Sequence, residues 1–91
     1  MPFARGFLIY SMAYYVYILQ SQADDSYYIG FTKDLNKRLF KHNQAKSGYT
    51  SRKIPWIIVY SEFFQEKSDA IKRERFLKNQ KSKEFLSRLV G

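Results

Sequence analysis

Two short runs rich in aromatic and β-branched residues, Tyr14-Tyr15-Val16-Tyr17-Ile18-Leu19 and Tyr27-Tyr28-Ile29-Gly30-Phe31, stand on either side of the polar stretch Ser21-Gln22-Ala23-Asp24-Asp25-Ser26. Runs of this composition and length are strands, and a loop of about six polar residues between them makes a hairpin. A hairpin near the start of a chain must be covered, so the rest of the chain has to supply a further strand and amphipathic helices.

The remaining sequence meets that demand. Thr32 is the expected N-cap of a helix, with Asp34 in its first turn facing the positive end of the dipole. The helix runs through Leu35, Leu39 and His42 and stops near Asn43. Residues 44–53 form a basic, glycine-containing loop. Pro55 opens the run Trp56-Ile57-Ile58-Val59-Tyr60, whose continuous apolar character predicts a strand covered on both faces, and Glu62-Phe63-Phe64 ends it. A second helix is expected over about 66–78 through Ala70, Ile71 and Leu77. A break comes at Asn79-Gln80-Lys81-Ser82, and then a short terminal helix carries Phe85, Leu86 and Leu89. The order is β-β-α-β-α-α, a small α/β domain in which helices cover a three-stranded sheet. Ninety-one residues hold one such domain, assigned to 13–91. Residues 1–12 are expected to be a poorly ordered N-terminal extension, with Met12 a natural start. Its apolar run Phe7-Leu8-Ile9-Tyr10 is too short to span a bilayer, and no small-residue cleavage pattern succeeds it.

Charge decides what kind of partner such a domain takes. Sixteen Lys and Arg against eight Asp and Glu leave +8, a field that attracts polyanions, of which nucleic acid is the abundant cellular one. The excess is concentrated: between Lys33 and Lys53 seven cations (Lys33, Lys37, Arg38, Lys41, Lys46, Arg52 and Lys53) face one anion, Asp34. That density marks a phosphate-binding face, for which an anionic membrane surface is the competing partner to nucleic acid. The expected partner is nucleic acid and not a membrane, and DNA is preferred to RNA only through the family resemblance given below. The absence of cysteine removes disulfide-linked partners, thiolate metal sites and cysteine nucleophiles together, and fits a cytoplasmic setting, the nucleoid included. His42 is the single histidine, so two-histidine metal sites are excluded as well. A bound metal would be a hard ion held by carboxylate and water, such as magnesium. A homodimer is left open.

A few residues depart from a merely soluble fold. Glu74 lies four after Ala70 and three before Leu77, which aims its carboxylate at the domain body. Either it is half of a buried salt bridge, or it is a metal ligand at a cleft between helix and sheet. Arg38 and His42 are one turn apart beside the Leu35/Leu39 stripe, a planar fork suited to phosphate next to an imidazole that titrates near neutrality. Most of the eight tyrosines read as half-buried packing residues with a wet hydroxyl.

These residues also fall in a recognisable order. Val16-Tyr17-Ile18, Tyr28-Ile29-Gly30, Lys33-Asp34-Leu35-Asn36-Lys37-Arg38-Leu39, His42-Asn43 and Ala70-Ile71-Lys72-Arg73-Glu74 resemble the GIY-YIG nuclease family, most closely its small stand-alone bacterial members. The resemblance implies a three-stranded antiparallel sheet flanked by helices, and a metal-dependent endonuclease that hydrolyses phosphodiester bonds in DNA, in repair or processing of branched or single-stranded structures. It implies catalytic roles for Tyr17, Tyr28, Arg38 and His42, and one divalent ion, Mg2+ or Mn2+, on Glu74. By the same resemblance Tyr17, its phenol acidified by nearby cations, takes a proton from the attacking water. Tyr15 replaces the glycine of the first signature, and Phe31 stands where repair nucleases of the family carry a lysine. The competing reading is a nucleic-acid-binding module, on DNA or structured RNA, that has kept the fold without the catalysis.

Overall fold

The computed structural model describes residues 13–80 and 82–91. In it the hairpin is formed by β1 (Tyr14–Ser21) and β2 (Tyr27–Thr32). Next in the chain come helix α1 (Leu35–Gln44), a 3-10 turn (Thr50–Lys53), β3 (Trp56–Phe64), α2 (Lys67–Lys78) and α3 (Lys83–Val90). The β-β-α-β-α-α order read from the sequence is therefore observed, with a 3-10 turn inside the stretch expected to be loop. The expected extension 1–12 lies outside the described residues.

The sheet is antiparallel in the order β2-β1-β3, so the first strand is the middle one. Alternation along β1 then supplies two cores. Val16 and Ile18 point to one face, where they pack with Ile29, with Ala70 and Leu77 of α2 and with Leu86 of α3. Tyr17 and Leu19 point to the other, where Trp56, Leu35 and Leu39 cover them. Helices α1 and α2 thus lie on opposite faces of one sheet. Among the described residues no helix is long and apolar enough to cross a membrane.

One local expectation is corrected and one is qualified. The N-cap of α1 is Asp34, whose carboxylate accepts from the Lys37 N–H at 3.0 Å. Thr32, expected in that role, instead accepts from the Asp34 N–H at 3.2 Å and is buried under the turn. Two cap-type residues stand two apart, and the one with the carboxylate takes the helix dipole. Strand β3 packs on both faces, as expected, although it is an edge strand: Trp56 and Ile58 join the core under α1, Val59 and Tyr60 the core under α2, and Ile57 is exposed. Its apolar run also contains an irregularity. The register with β1 shifts between Ile18 and Leu19, which pair with Tyr60 and Ile58 and leave Val59 as an extra residue. The resulting bulge turns both Val59 and Tyr60 toward the α2 side.

The polar turn of the hairpin is anchored. Ser21 is fully buried; its Oγ donates to the Lys53 carbonyl at 2.7 Å and accepts from the N–H groups of Ala23 and Asp24 at 3.0 and 3.2 Å. One hydroxyl thereby joins the hairpin to the 3-10 turn.

Candidate active site

Tyr17 comes from the middle of the central strand and is 1% exposed. It is paired across the ladder with Gly30 of β2, and the absent side chain there is what makes room for it. A Cβ at Gly30 would meet the Tyr17 ring and hydroxyl at 2.5–3.1 Å. The phenol therefore lies over the edge strand, with its hydroxyl at the rim of the sheet rather than deep under α1.

Helix α1 brings its own residues to that rim. Its capped start and its terminal turn fix its pose, because Asn43 accepts from the Trp56 N–H at 2.6 Å and donates to the Trp56 carbonyl at 3.0 Å. This two-point clamp holds the end of α1 against β3 and so places the adjacent His42. His42 Nε2 lies 3.2 Å from the Tyr17 hydroxyl, and its ring meets Tyr28 edge-on with centroids 4.6 Å apart. Burial, with the Arg38 guanidinium in support, holds the imidazole below its ordinary pKa. The neutral ring is favoured, and its Nε2 can accept the phenolic proton.

Burial also acts on Tyr17. It pushes the phenol up to about 12, with repulsion from Tyr28 adding to the rise, while Arg38 pulls in the opposite direction and is outweighed. The expectation of a phenol acidified by nearby cations is therefore overturned. The desolvation of a 1% exposed group exceeds what one solvated guanidinium returns.

A cleft of about 310 Å³ opens at this rim, lined by Tyr17, Tyr28, Gly30, Phe31, Lys33, Arg38 and, from the opposite face of the sheet, Glu74. Four of the five residues singled out for catalysis and metal binding thus line one space, and His42 stands directly behind Tyr17. The inward Glu74 is 17% exposed, and its carboxylate is 3.4 Å from the ammonium of Lys78, four residues on along α2. Of the two readings open for this glutamate, a salt bridge is present, but its partner is a half-exposed surface lysine rather than a buried cation. Among the described residues no three His, Cys, Asp or Glu side chains gather as a metal-binding group. One carboxylate in an open, phosphate-sized cleft suits magnesium or manganese, which keeps most of its waters and takes further oxygens from substrate. It does not suit zinc, which wants a near-complete set of protein ligands.

The cationic residues separate into two groups. Lys33, Lys37, Arg38 and Lys41 line a depression beside the cleft. Lys46 and Arg52 are exposed on and before the 3-10 turn. Lys53 is tied to the Asp24 carboxylate, and that contact, helped by Ser26, holds Asp24 well below the usual carboxylate range. Gly30, Asn43 and Ser21 carry the site's architecture, and sequence reasoning gives none of them that role. Gly30 alone has a visible signal, as the one glycine inside a strand run.

Comparison with known proteins agrees with this geometry. Residues 13–87 match the family described as the GIY-YIG catalytic domain. The chain is 40% identical over 77 residues to a UPF0213 protein of Streptococcus pneumoniae, covering 80% of this chain and 77% of that one. It is 42% identical over 66 residues to a UPF0213 protein of Staphylococcus saprophyticus, covering 71% of this chain and 79% of the relative. The solution NMR structure of a UPF0213 protein from Bacillus halodurans superimposes with a TM-score of 0.56 at 34% identity, over 87% of this chain and 83% of the other. With the fold, the signature tyrosines and the match running from Ala13 to Ser87 in agreement, the chain belongs to the GIY-YIG family of nuclease-like domains, among the UPF0213 proteins of bacteria.

Proposed function

We propose that this protein is a metal-dependent endonuclease that hydrolyses phosphodiester bonds in DNA, in the processing of branched or single-stranded structures. The observation that carries the reading is the meeting of Tyr17, Tyr28, Arg38 and Glu74 around one cleft, although Glu74 and Arg38 come from helices on opposite faces of the sheet. A structural salt bridge or a packing tyrosine has no need of that convergence.

The scissile phosphate sits in the cleft with Arg38 against its non-bridging oxygens, where the guanidinium stabilises the charge that gathers in the transition state. Tyr28 borders the same space and positions the attacking water. Because the Tyr17 phenol holds its proton firmly, it works as a relay rather than as a standing base. The water gives its proton to the Tyr17 oxygen as the phenolic proton passes to the neutral Nε2 of His42, 3.2 Å away. The water oxygen forms the new bond to phosphorus as the bond to the leaving oxygen breaks; that oxygen keeps the bonding pair and takes a proton from solvent, and His42 returns its own proton to solvent. Glu74, whose carboxylate is otherwise 3.4 Å from the Lys78 ammonium, would hold the divalent ion. When bound, magnesium or manganese supplies positive charge against the phosphoryl and leaving oxygens.

The test is incubation with single-stranded, duplex and branched DNA and with RNA, with and without each metal, alongside Glu74→Gln. Metal-dependent cleavage of DNA by the wild type and none by the variant is expected. Binding without cleavage under every metal condition would replace this reading by the binding-only module, which the apolar Phe31 in the cleft favours.

A further inference from the structure

Tyr49 is the exposed end of a line of aromatic rings that starts in the cleft. Tyr17 and Tyr28 stack with centroids 6.4 Å apart, Tyr28 meets Trp56 edge-on at 6.1 Å, and Trp56 meets Tyr49 at 6.3 Å. Trp56 is buried and serves as the hidden link, whereas Tyr49 keeps 53% of its surface open. A ring so exposed adds little to the core. The turn beside it is nonetheless held at three points: Trp56 Nε1 donates to the Thr50 carbonyl at 2.9 Å, Ser21 Oγ donates to the Lys53 carbonyl at 2.7 Å, and Lys53 is ion-paired with Asp24. The Lys53 ammonium lies 5.0 Å from the centroid of the Tyr49 ring. Lys46 and Arg52, both exposed, stand close by in the chain.

We infer that Tyr49 is a stacking platform for an unpaired base a few nucleotides from the phosphate in the cleft, so that the strand being cut is single-stranded on that flank. The inference rests on the nuclease reading above and narrows its substrate. A base within a duplex has both faces already stacked and cannot use the ring. An unpaired base can, whatever its identity, since every base has a π-face. Rigid anchoring means that little ordering remains to be done on binding, and the neighbouring cations follow the backbone.

The experiment measures binding by fluorescence anisotropy in EDTA, so that nothing is cut. Its probes are a short single-stranded DNA, the same sequence as RNA, and the DNA duplex, against wild type, Tyr49→Ala and Tyr49→Trp. Tyr49→Ala is expected to weaken single-strand binding roughly 5- to 100-fold and to leave duplex binding unchanged, while Tyr49→Trp retains single-strand affinity. Loss on the DNA strand, the RNA strand or both supports the platform and identifies the sugar it accepts. Equal loss on single strand and duplex, or no loss on either, overturns the platform and leaves the nuclease reading standing. Failure of the wild type to bind any of the three probes overturns both. Retention by Tyr49→Trp separates stacking from a folding defect in Tyr49→Ala.

Discussion

The phenolic oxygen of Tyr17 fills the space in which a side chain on Gly30 would begin, 2.5 Å from where its Cβ would stand. The signature glycine of β2 and the signature tyrosine of β1 are therefore one steric unit: the first is empty so that the second can lie across it.

Gly30→Ala should accordingly damage the site more than the fold. The ring has no free direction, being 1% exposed and linked to His42, so either it or the β1–β2 ladder must move. A stability loss of about 1–3 kcal/mol is expected from chemical denaturation, with cleavage lost well beyond that. Combining it with Tyr17→Phe should give less than the sum of the two losses, because the closest atom is then gone, although Cζ at 2.7 Å still clashes. Strict additivity would mean that the two residues do not compete for the space.

The pH dependence of stability should carry a signature of His42. The unfolded chain takes up the imidazole proton near about pH 6.5, whereas the folded chain, with its pKa lowered by burial and Arg38, takes it up only at lower pH. Between those values the unfolded state holds more protons, so stability falls as pH drops through the window, and the loss is complete below the folded pKa. His42→Gln removes the difference. Thermal melts from about pH 7 down to about pH 5 should fall more steeply for the wild type than for the variant. Parallel curves would place the imidazole in an ordinary solvated setting.

Lysines that look alike in the sequence should differ in their effect on nucleic-acid binding. Lys37→Glu and Lys41→Glu, in the depression beside the cleft, should each weaken binding and lower the slope of log K against log salt by about 0.9 on duplex, or about 0.7 on a single strand. Lys53→Gln should leave that slope unchanged, because Asp24 already neutralises the ammonium. Salt titrations of all three variants decide the matter, and a full slope change at Lys53 would show that the ion pair opens for phosphate.

Ser21→Ala should cost about 1–3 kcal/mol, the range for leaving buried partners unsatisfied. Its hydroxyl serves the Lys53 carbonyl and two N–H groups of the hairpin turn, all from a fully buried position. Urea unfolding measures the loss; a change within the usual surface range of about ±0.5 kcal/mol would mean that water replaces all three bonds.

The three strands and three helices are legible in the sequence because their signals are local: aromatic and β-branched density for the strands, and periodic apolar residues for the helices. The site's members are legible through the resemblance, since the inward aim of Glu74 and the Arg38/His42 spacing are suggestive only in combination. The features that stay hidden depend on distant partners. Asn43 and Ser21 act on backbone groups 13 and 32 residues away. Nothing beside Val59 announces the bulge, so which side chains of β3 meet which face stays hidden. The rise of the Tyr17 pKa is equally out of reach, because it comes from burial and not from the cations that crowd the sequence around it.

The placement of α1 and α2 on opposite faces of the sheet has a consequence in time. A chain emerging from the ribosome delivers Tyr17, Tyr28, Arg38 and His42 with its first two strands and α1, but the carboxylate of Glu74 only with α2, after the third strand. A partial product can attract phosphate but lacks the one acidic side chain of the cleft. On the proposed mechanism the capacity to cut would switch on only when the second face has closed, and truncated or unfinished copies of this basic chain would do no damage to what they touch.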